Sequence, residues 1–190
     1  MYQGVIFDMD GTLIEPLLDF ARLRRELGIS AGVGIIEALD AMDPAEAAPR
    51  RKLLIAREMA AAGKADLHPG AIETIETIRA AGLKTALLTR NAAEAMAVVL
   101  DRFDLNFDLA WSRENGPIKP EPDGILRACR QLDIAPARTA CVGDFRYDMI
   151  AANAAGAVGI LLARSGECDF ADLARHVITE LDQLPALLGI

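Results

Sequence analysis

Gly4-Val5-Ile6-Phe7-Asp8-Met9-Asp10-Gly11-Thr12-Leu13 is an apolar run of strand type that ends in two carboxylates one residue apart, then a glycine and a threonine. If the chain stays extended through Asp10, both acids point to the same side, with Met9 opposite. Two carboxylates so placed repel, and one must protonate unless a cation intervenes. A solvated turn in which Asp caps a helix would account for the same residues, so the rest of the chain has to decide.

Downstream the pattern alternates between strand and helix. Val5–Phe7, Lys84–Leu88, Asp108–Trp111, Thr139–Val142 and Gly159–Ala163 read as strands, with a short sixth at Val177–Thr179. Between them lie a helix after Pro69-Gly70 carrying Ile72, Ile75 and Ile78, one from Asn91 through Leu100, one capped by Asp123 with Ile125, Cys129 and Leu132 in register, and one over Asp148–Ala155. Asn91 and Glu94 have the spacing of a capping box, and Asp182–Leu188 reads as a terminal helix. Alternation of this kind predicts an α/β fold, a Rossmann-like parallel sheet with helices on both faces.

Residues 16–67 break the rhythm. They hold no strand-like run and read as helices over Leu18–Leu27, Gly34–Ala41 and Ala45–Ala62, with Pro49 expected to mark a first turn or a break in the last of them. The stretch carries eight basic and eight acidic residues, so the net charge of −8 arises entirely outside it. The expected organisation is a catalytic core of residues 1–15 and 68–190 with a small all-helical cap, 16–67, inserted after the first strand. Ligands of open α/β sheets bind beyond the carboxyl ends of the strands, where such an insertion would lie as a lid.

Composition narrows the function. With 52% hydrophobic and 25% charged residues the chain is globular, and the acidic balance disfavours a nucleic-acid groove or an anionic membrane surface. Three cysteines without CxxC spacing, Cys129, Cys141 and Cys168, suggest buried thiols and not a disulfide frame or zinc site. The longest apolar run, Ala154–Ala163, is too short to span a bilayer. No pattern of basic start, apolar stretch and cleavage site precedes Asp8, so a cytoplasmic protein is expected.

The other strand ends supply matching pieces. Leu87-Leu88-Thr89-Arg90-Asn91 closes the second strand with a hydroxyl, Lys119-Pro120-Glu121-Pro122 puts a lysine after the third, and Val142-Gly143-Asp144 closes the fourth with a carboxylate, Asp148 following one helical turn on. In a parallel sheet these ends share one edge. An Asp pair, a Thr, a Lys and a second Asp pair would there make a site for a divalent cation and a phosphate, and oxygen-only ligands suit magnesium.

In this order and placement the segments DMDGT (8–12), LLTRN (87–91), KPEPDGI (119–125) and GDFRYD (143–148) resemble the haloacid dehalogenase superfamily of phosphotransferases, over Gly4 to about Leu162. The resemblance implies a phosphatase in which Asp8 is the nucleophile and Asp10 the acid and base. It implies that Thr89 holds phosphoryl oxygens, that Lys119 neutralises charge, and that Mg2+ is bound by Asp8, the Asp10 carbonyl and Asp144, with Asp148 acting through water. Asp10 points to phosphate esters, because the dehalogenase branch lacks this acid and the phosphonate-cleaving branch has alanine. Small caps occupy the position of residues 16–67, and the layout is phosphoglycolate-phosphatase-like. The implied partner is a small-molecule phosphate ester, with no nucleic acid and no membrane, for a monomer or homodimer. A phosphomutase or phosphotransferase using the same intermediate is the alternative. A receiver-like module would carry its acceptor Asp in mid-chain, and a catalytically silent binding module would not need the full set of acids, hydroxyl and lysine.

Other candidate substrate contacts are Thr12, Arg24 on the first cap helix beside Phe20, Leu23 and Leu27, and Arg90, Asn91 and Arg146, which flank the motifs. Two guanidinium groups at the mouth would suit a second anion on the substrate; pairing of the arginines with Glu94 or Glu121 is the plain alternative. For Asn91 the helix-cap reading is favoured over that of a phosphate-loop ligand. His68 and His176 read as structural, Trp111 and Phe103 as core, Asp101 and Asp104 as surface acids.

Overall fold

The alternating burial of Val5, Ile6 and Phe7 sets the architecture, because each strand residue must find an apolar layer on its own side. In the computed structural model, which describes residues 1–164 and 168–190, β1 (Gly4–Phe7) is completely buried. Val5 and Phe7 join one apolar layer with Ile75, Ile78, Val99 and Leu184, whereas Ile6 joins another with Ile125, Cys129 and Ala151. Helices therefore cover both faces of the sheet.

The remaining strands are β2 (Lys84–Leu88), β3 (Leu109–Trp111), β4 (Thr139–Gly143), β5 (Val158–Leu162) and β6 (His176–Ile178). All pair in parallel, in the order β3-β2-β1-β4-β5-β6. Phe7 stands opposite Leu87 of β2 and Val142 of β4, so the residues that follow these three strands leave the sheet side by side. The chain builds outward from β1 through β2 to β3 and then returns to the other side of β1. That reversal opens a crevice between the carboxyl ends of β1 and β4.

The core helices are α4 (Ala71–Ala80), α5 (Ala93–Phe103), α6 (Asp123–Leu132), α7 (Arg146–Ala155) and α8 (Gln183–Leu188), and the segment between β1 and α4 forms α1 (Phe20–Leu27), α2 (Ile35–Asp40) and α3 (Pro44–Ala62). Leu23, Leu27, Ile29, Ile35, Leu39 and Leu54 build an apolar cluster of their own there. The C-terminal end of α3 packs differently: Ala62, and Ala65 just after the helix, belong to the layer under the sheet. The segment leaves and returns along paired backbone, with Glu15 N–H donating to Asp66 C=O at 2.9 Å and His68 N–H to Leu13 C=O at 2.8 Å. No helix among the described residues is long and apolar enough to cross a membrane.

Several local expectations are corrected. Pro49 lies inside a continuous α3; the bond it removes belongs to the carbonyl of Ala45, on an exposed turn where water can reach it. The N-cap of α5 is Ala92, not Asn91, and that of α6 is Pro122, with Asp123 in the first turn. Phe20 is exposed while Leu23 and Leu27 are buried, because the buried stripe of α1 is only those two residues wide. Trp111 and Phe103 are half-buried, each under an arginine guanidinium (Arg127 and Arg102), and Cys168 is half-buried where Cys129 and Cys141 are fully so. Truncation of Leu27, which is 1% exposed, is expected to cost about 2–5 kcal/mol; the urea midpoint of Leu27→Ala measures it, and a midpoint equal to that of the parent protein would show that the α1–α3 cluster contributes nothing.

Candidate active site

Beyond Phe7 the chain stops being a strand. Met9 C=O accepts from the amides of Leu13 at 2.9 Å and Ile14 at 3.1 Å, which turns residues 9–14 back beneath the sheet edge. The extended geometry expected for Asp8 and Asp10 is thus replaced by a turn, yet it keeps Asp10 within reach of the charge on Asp8. Gly11 is in the left-handed region at φ 78°. A Cβ there would overlap the carboxylate of Asp144, so the position needs glycine for its conformation and for the space it leaves. Gly143, at the end of β4, likewise leaves the space filled by the Asp148 carboxyl.

Lys119 enters the crevice from the loop before α6 and is 9% exposed. Its Nζ donates to Asp8 Oδ1 at 2.5 Å and to Asp148 Oδ1 at 2.6 Å. Burial disfavours the ammonium, but the charges of Asp148 and Asp8 more than reverse this and raise its pKa. The second oxygen of Asp148 accepts from the Phe145 amide at 3.1 Å, fixing the start of α7. Asp8, Asp144 and Asp148 each offer an oxygen within 4.8 Å of the others. Burial, aided by neighbouring carboxylates, pushes Asp8 up to about 6 despite Lys119, Asp10 up to about 7, and Asp144 up to about 8.

Clustered hard oxygen donors on Asp8, Asp144 and Asp148 suit a divalent cation. The Asp144 carboxylate, seated over Gly11, faces the same space as Asp8. These residues fit magnesium, and the donor set lacks the nitrogen and sulfur that zinc prefers.

Asn91 belongs to this site and not to a helix cap. Its Nδ2 donates to Asp10 Oδ2 at 2.5 Å, and its amide donates to Thr89 Oγ1 at 3.1 Å. Arg90 also departs from expectation: its guanidinium pairs with Glu37 of α2 at 2.7 Å, donates to the Lys119 carbonyl and lies over the Tyr147 ring, 4.9 Å from its centroid. Neither Glu94 nor Glu121 is its partner. Three candidates fall outside the site. Arg24 is spent on the carbonyls of Val33 and Phe20 within the inserted segment. Arg146 is exposed at the start of α7, and its side chain makes no hydrogen bond or ion pair among the described residues. Thr12 is 0% exposed with an unpartnered hydroxyl, which offers a substrate no surface. Unmarked in the sequence were Glu58 and Arg113, a pair 2.6 Å apart with side chains 4% and 9% exposed, beside Asn91. The readable sign was an acid in the buried stripe of α3, four residues after Leu54 and four before Ala62.

The haloacid dehalogenase-like hydrolase family profile matches residues 2–156 of the chain. The chain belongs to that family. Among relatives, a haloacid dehalogenase-like hydrolase domain-containing protein of Arabidopsis thaliana is 34% identical over 86% of this chain and 72% of its own length. Phosphoglycolate phosphatase 1 of Pseudomonas aeruginosa is 25% identical over 80% of this chain and 66% of its own. The crystal structure of a haloacid dehalogenase phosphatase from Thermococcus onnurineus superposes with a TM-score of 0.74 at 26% identity, covering 98% of both chains.

The raised carboxylates have a consequence for stability. Their folded pKa values lie above the unfolded value of about 3.9, so the folded state gains relative to the unfolded one at low pH and loses as pH climbs through 6 to 8. Asp144→Asn, which removes the group with the highest of these values, is expected to raise the metal-free Tm at pH 8, to leave it little changed at pH 4, and to abolish any Tm increase on adding Mg2+. Thermal scans at the two pH values check this, and a lower Tm at pH 8 would contradict it.

Proposed function

We propose that the protein is a magnesium-dependent phosphatase that hydrolyses a small phosphorylated metabolite through an aspartyl-phosphate on Asp8. The observation that carries this reading is the set made by Asp8, Lys119, Asp144 and Asp148 at the carboxyl ends of β1 and β4, with Asp10 beside it at a pKa of about 7. Among relatives, the names phosphoglycolate phosphatase and haloacid dehalogenase phosphatase support the same chemistry.

In the first half-reaction an Asp8 carboxylate oxygen forms a bond to phosphorus while the bond from phosphorus to the ester oxygen breaks. Asp10, protonated in part near neutral pH, gives its proton to the departing alkoxide. In the second, Asp10 takes a proton from water, the water oxygen attacks phosphorus, and the carboxylate of Asp8 leaves, releasing inorganic phosphate. Lys119 offsets the charge that gathers on Asp8 and the phosphoryl oxygens, and Thr89 and Asn91 lie on the loop beside them. Asp8, the Asp10 carbonyl and Asp144 would hold Mg2+, which when bound would supply positive charge to offset the repulsion between an anionic ester and the Asp8 carboxylate. Asp148 has both oxygens engaged, by Lys119 and the Phe145 amide, and so orients Lys119 toward Asp8.

Residues 16–67 serve as a cap whose α2 reaches the site edge through Glu37 and Arg90, which favours small substrates over protein ones. The acidic chain has no evident use for nucleic acid, and a soluble ester is consistent with a cytoplasmic role.

A phosphate-release screen over a panel of phosphorylated metabolites, with Mg2+ and with EDTA, tests the proposal. Turnover is expected only with Mg2+. Asp10→Asn is expected to lower it by about 10²–10⁴-fold and Asp8→Asn to abolish it. Full turnover in Asp8→Asn, or with EDTA, would refute the mechanism, and a strict need for a bisphosphate would identify a mutase.

A further inference from the structure

Helix α5 starts without a cap from its own side chains. Its N-cap residue is Ala92, so its leading amides need acceptors from elsewhere in the fold. Two carboxylates provide them: Glu58 Oε2 accepts from the Ala92 amide at 3.2 Å, and Glu114 Oε2 from the Ala93 amide at 3.0 Å. Glu58 belongs to α3 and lies 34 residues away in sequence. Its other oxygen pairs with Arg113 Nη1 at 2.6 Å, and that nitrogen also donates to the Arg90 carbonyl at 3.2 Å. The amide of Arg113 donates to the Asn91 carbonyl at 3.1 Å.

Residues 90–93 are therefore gripped at every position through their backbone. Asn91 sits in the middle of the grip and puts its Nδ2 on Asp10 Oδ2. Helix α3 has no slack with which to withdraw Glu58, because Arg102 of α5 donates to the carbonyls of Ala62 and Ala65 at 2.6 and 2.8 Å. A buried carboxylate is costly at a position where a helix could place leucine. Its two oxygens here do what an apolar residue could not: one holds an amide next to the site and the other holds the arginine that holds the rest.

We propose that Glu58 is a positioning residue for the reaction: by capping α5 from α3 it fixes Asn91, and through the Asn91–Asp10 hydrogen bond it aims the Asp10 carboxyl at the leaving oxygen. The inference rests on the phosphatase reading above. It makes α3 a contributor to leaving-group protonation without any contact between α3 and the substrate.

The test exploits the leaving group. An alkoxide needs a proton to depart, whereas p-nitrophenolate does not, and kcat/KM covers the steps through departure. Glu58→Gln keeps the shape but opposes an NH2 group to either Arg113 or the Ala92 amide. With Mg2+ present, it is expected to lower kcat/KM at least tenfold for the best alkyl phosphate of the panel and less than about threefold for p-nitrophenyl phosphate, in line with the usual scale of acid catalysis. Asn91→Ala should show the same bias, and the double variant should lose no more than the worse single one, as residues acting in one chain do. Equal losses on the two esters, or additive losses in the double variant, would overturn the proposal and leave Glu58 a purely structural residue. If Glu58→Gln does not fold by circular dichroism, Arg113→Lys, which keeps a cation by Glu58 but replaces the Nη1 that bridges Glu58 and the Arg90 carbonyl, must show the same bias or the proposal falls. Parent protein inert toward both esters would overturn the phosphatase reading as well, whereas an active parent with unbiased losses overturns only the role of Glu58.

Discussion

One ammonium, that of Lys119, is set against the carboxylates of Asp8, Asp144 and Asp148 in a crevice where burial strips them of water. Coulomb attraction holds Lys119 to two of them but cannot neutralise the group, and burial first, then the neighbouring carboxylates, raise the proton affinity of Asp8, Asp10 and Asp144. An apolar packing of the same volume would be more comfortable for the fold. Gathering like charges in this way costs the fold stability, and on the function proposed above a bound cation would offset that cost.

Everything else in the core works to hold that cluster in place. Parallel pairing of β1 with both β2 and β4 brings the residues after three strands to one edge, although Asp8 and Lys119 are 111 residues apart. Completely buried strands leave no freedom of register, since a one-residue slip would turn Phe7 and Val5 into the wrong layer. Gly11 and Gly143 then set the distance of closest approach, each by having no side chain where a carboxyl must sit.

The segment between β1 and α4 is bound to this core by a polar seam as well as by its hinge. Arg90 meets Glu37 at the exposed edge, Arg113 meets Glu58 in the interior, and Arg102 closes the end of α3. These contacts differ in kind. The outer pair is open to water and weakly held. The inner one is dry, and removing either partner would leave a charge stranded. The N-terminal part of the segment packs on itself, while the end of α3 packs under the sheet. Motion of α1 and α2 is therefore less constrained than motion of α3.

The strand–helix alternation, the two-faced sheet and the acids, hydroxyl and lysine at the strand ends were all legible in the residues themselves. Periodicity records which faces are buried; Asp8, Asp10 and Asp144 sit where an apolar run stops, and Lys119 follows in the loop after β3. The sequence by itself determined these because each depends on neighbours only a few residues away. It did not determine who meets whom. Asn91 has the spacing of a helix cap, and only the approach of Asp10 draws it into the site; Arg90 has Glu94 four residues on in sequence and pairs instead with Glu37, which the fold brings closer. Glu58 and Arg113 became functional candidates only when α3 was laid against α5. Side-chain partners separated by tens of residues are chosen by backbone geometry and by the need to satisfy every buried polar group, and that choice exists only in the folded chain.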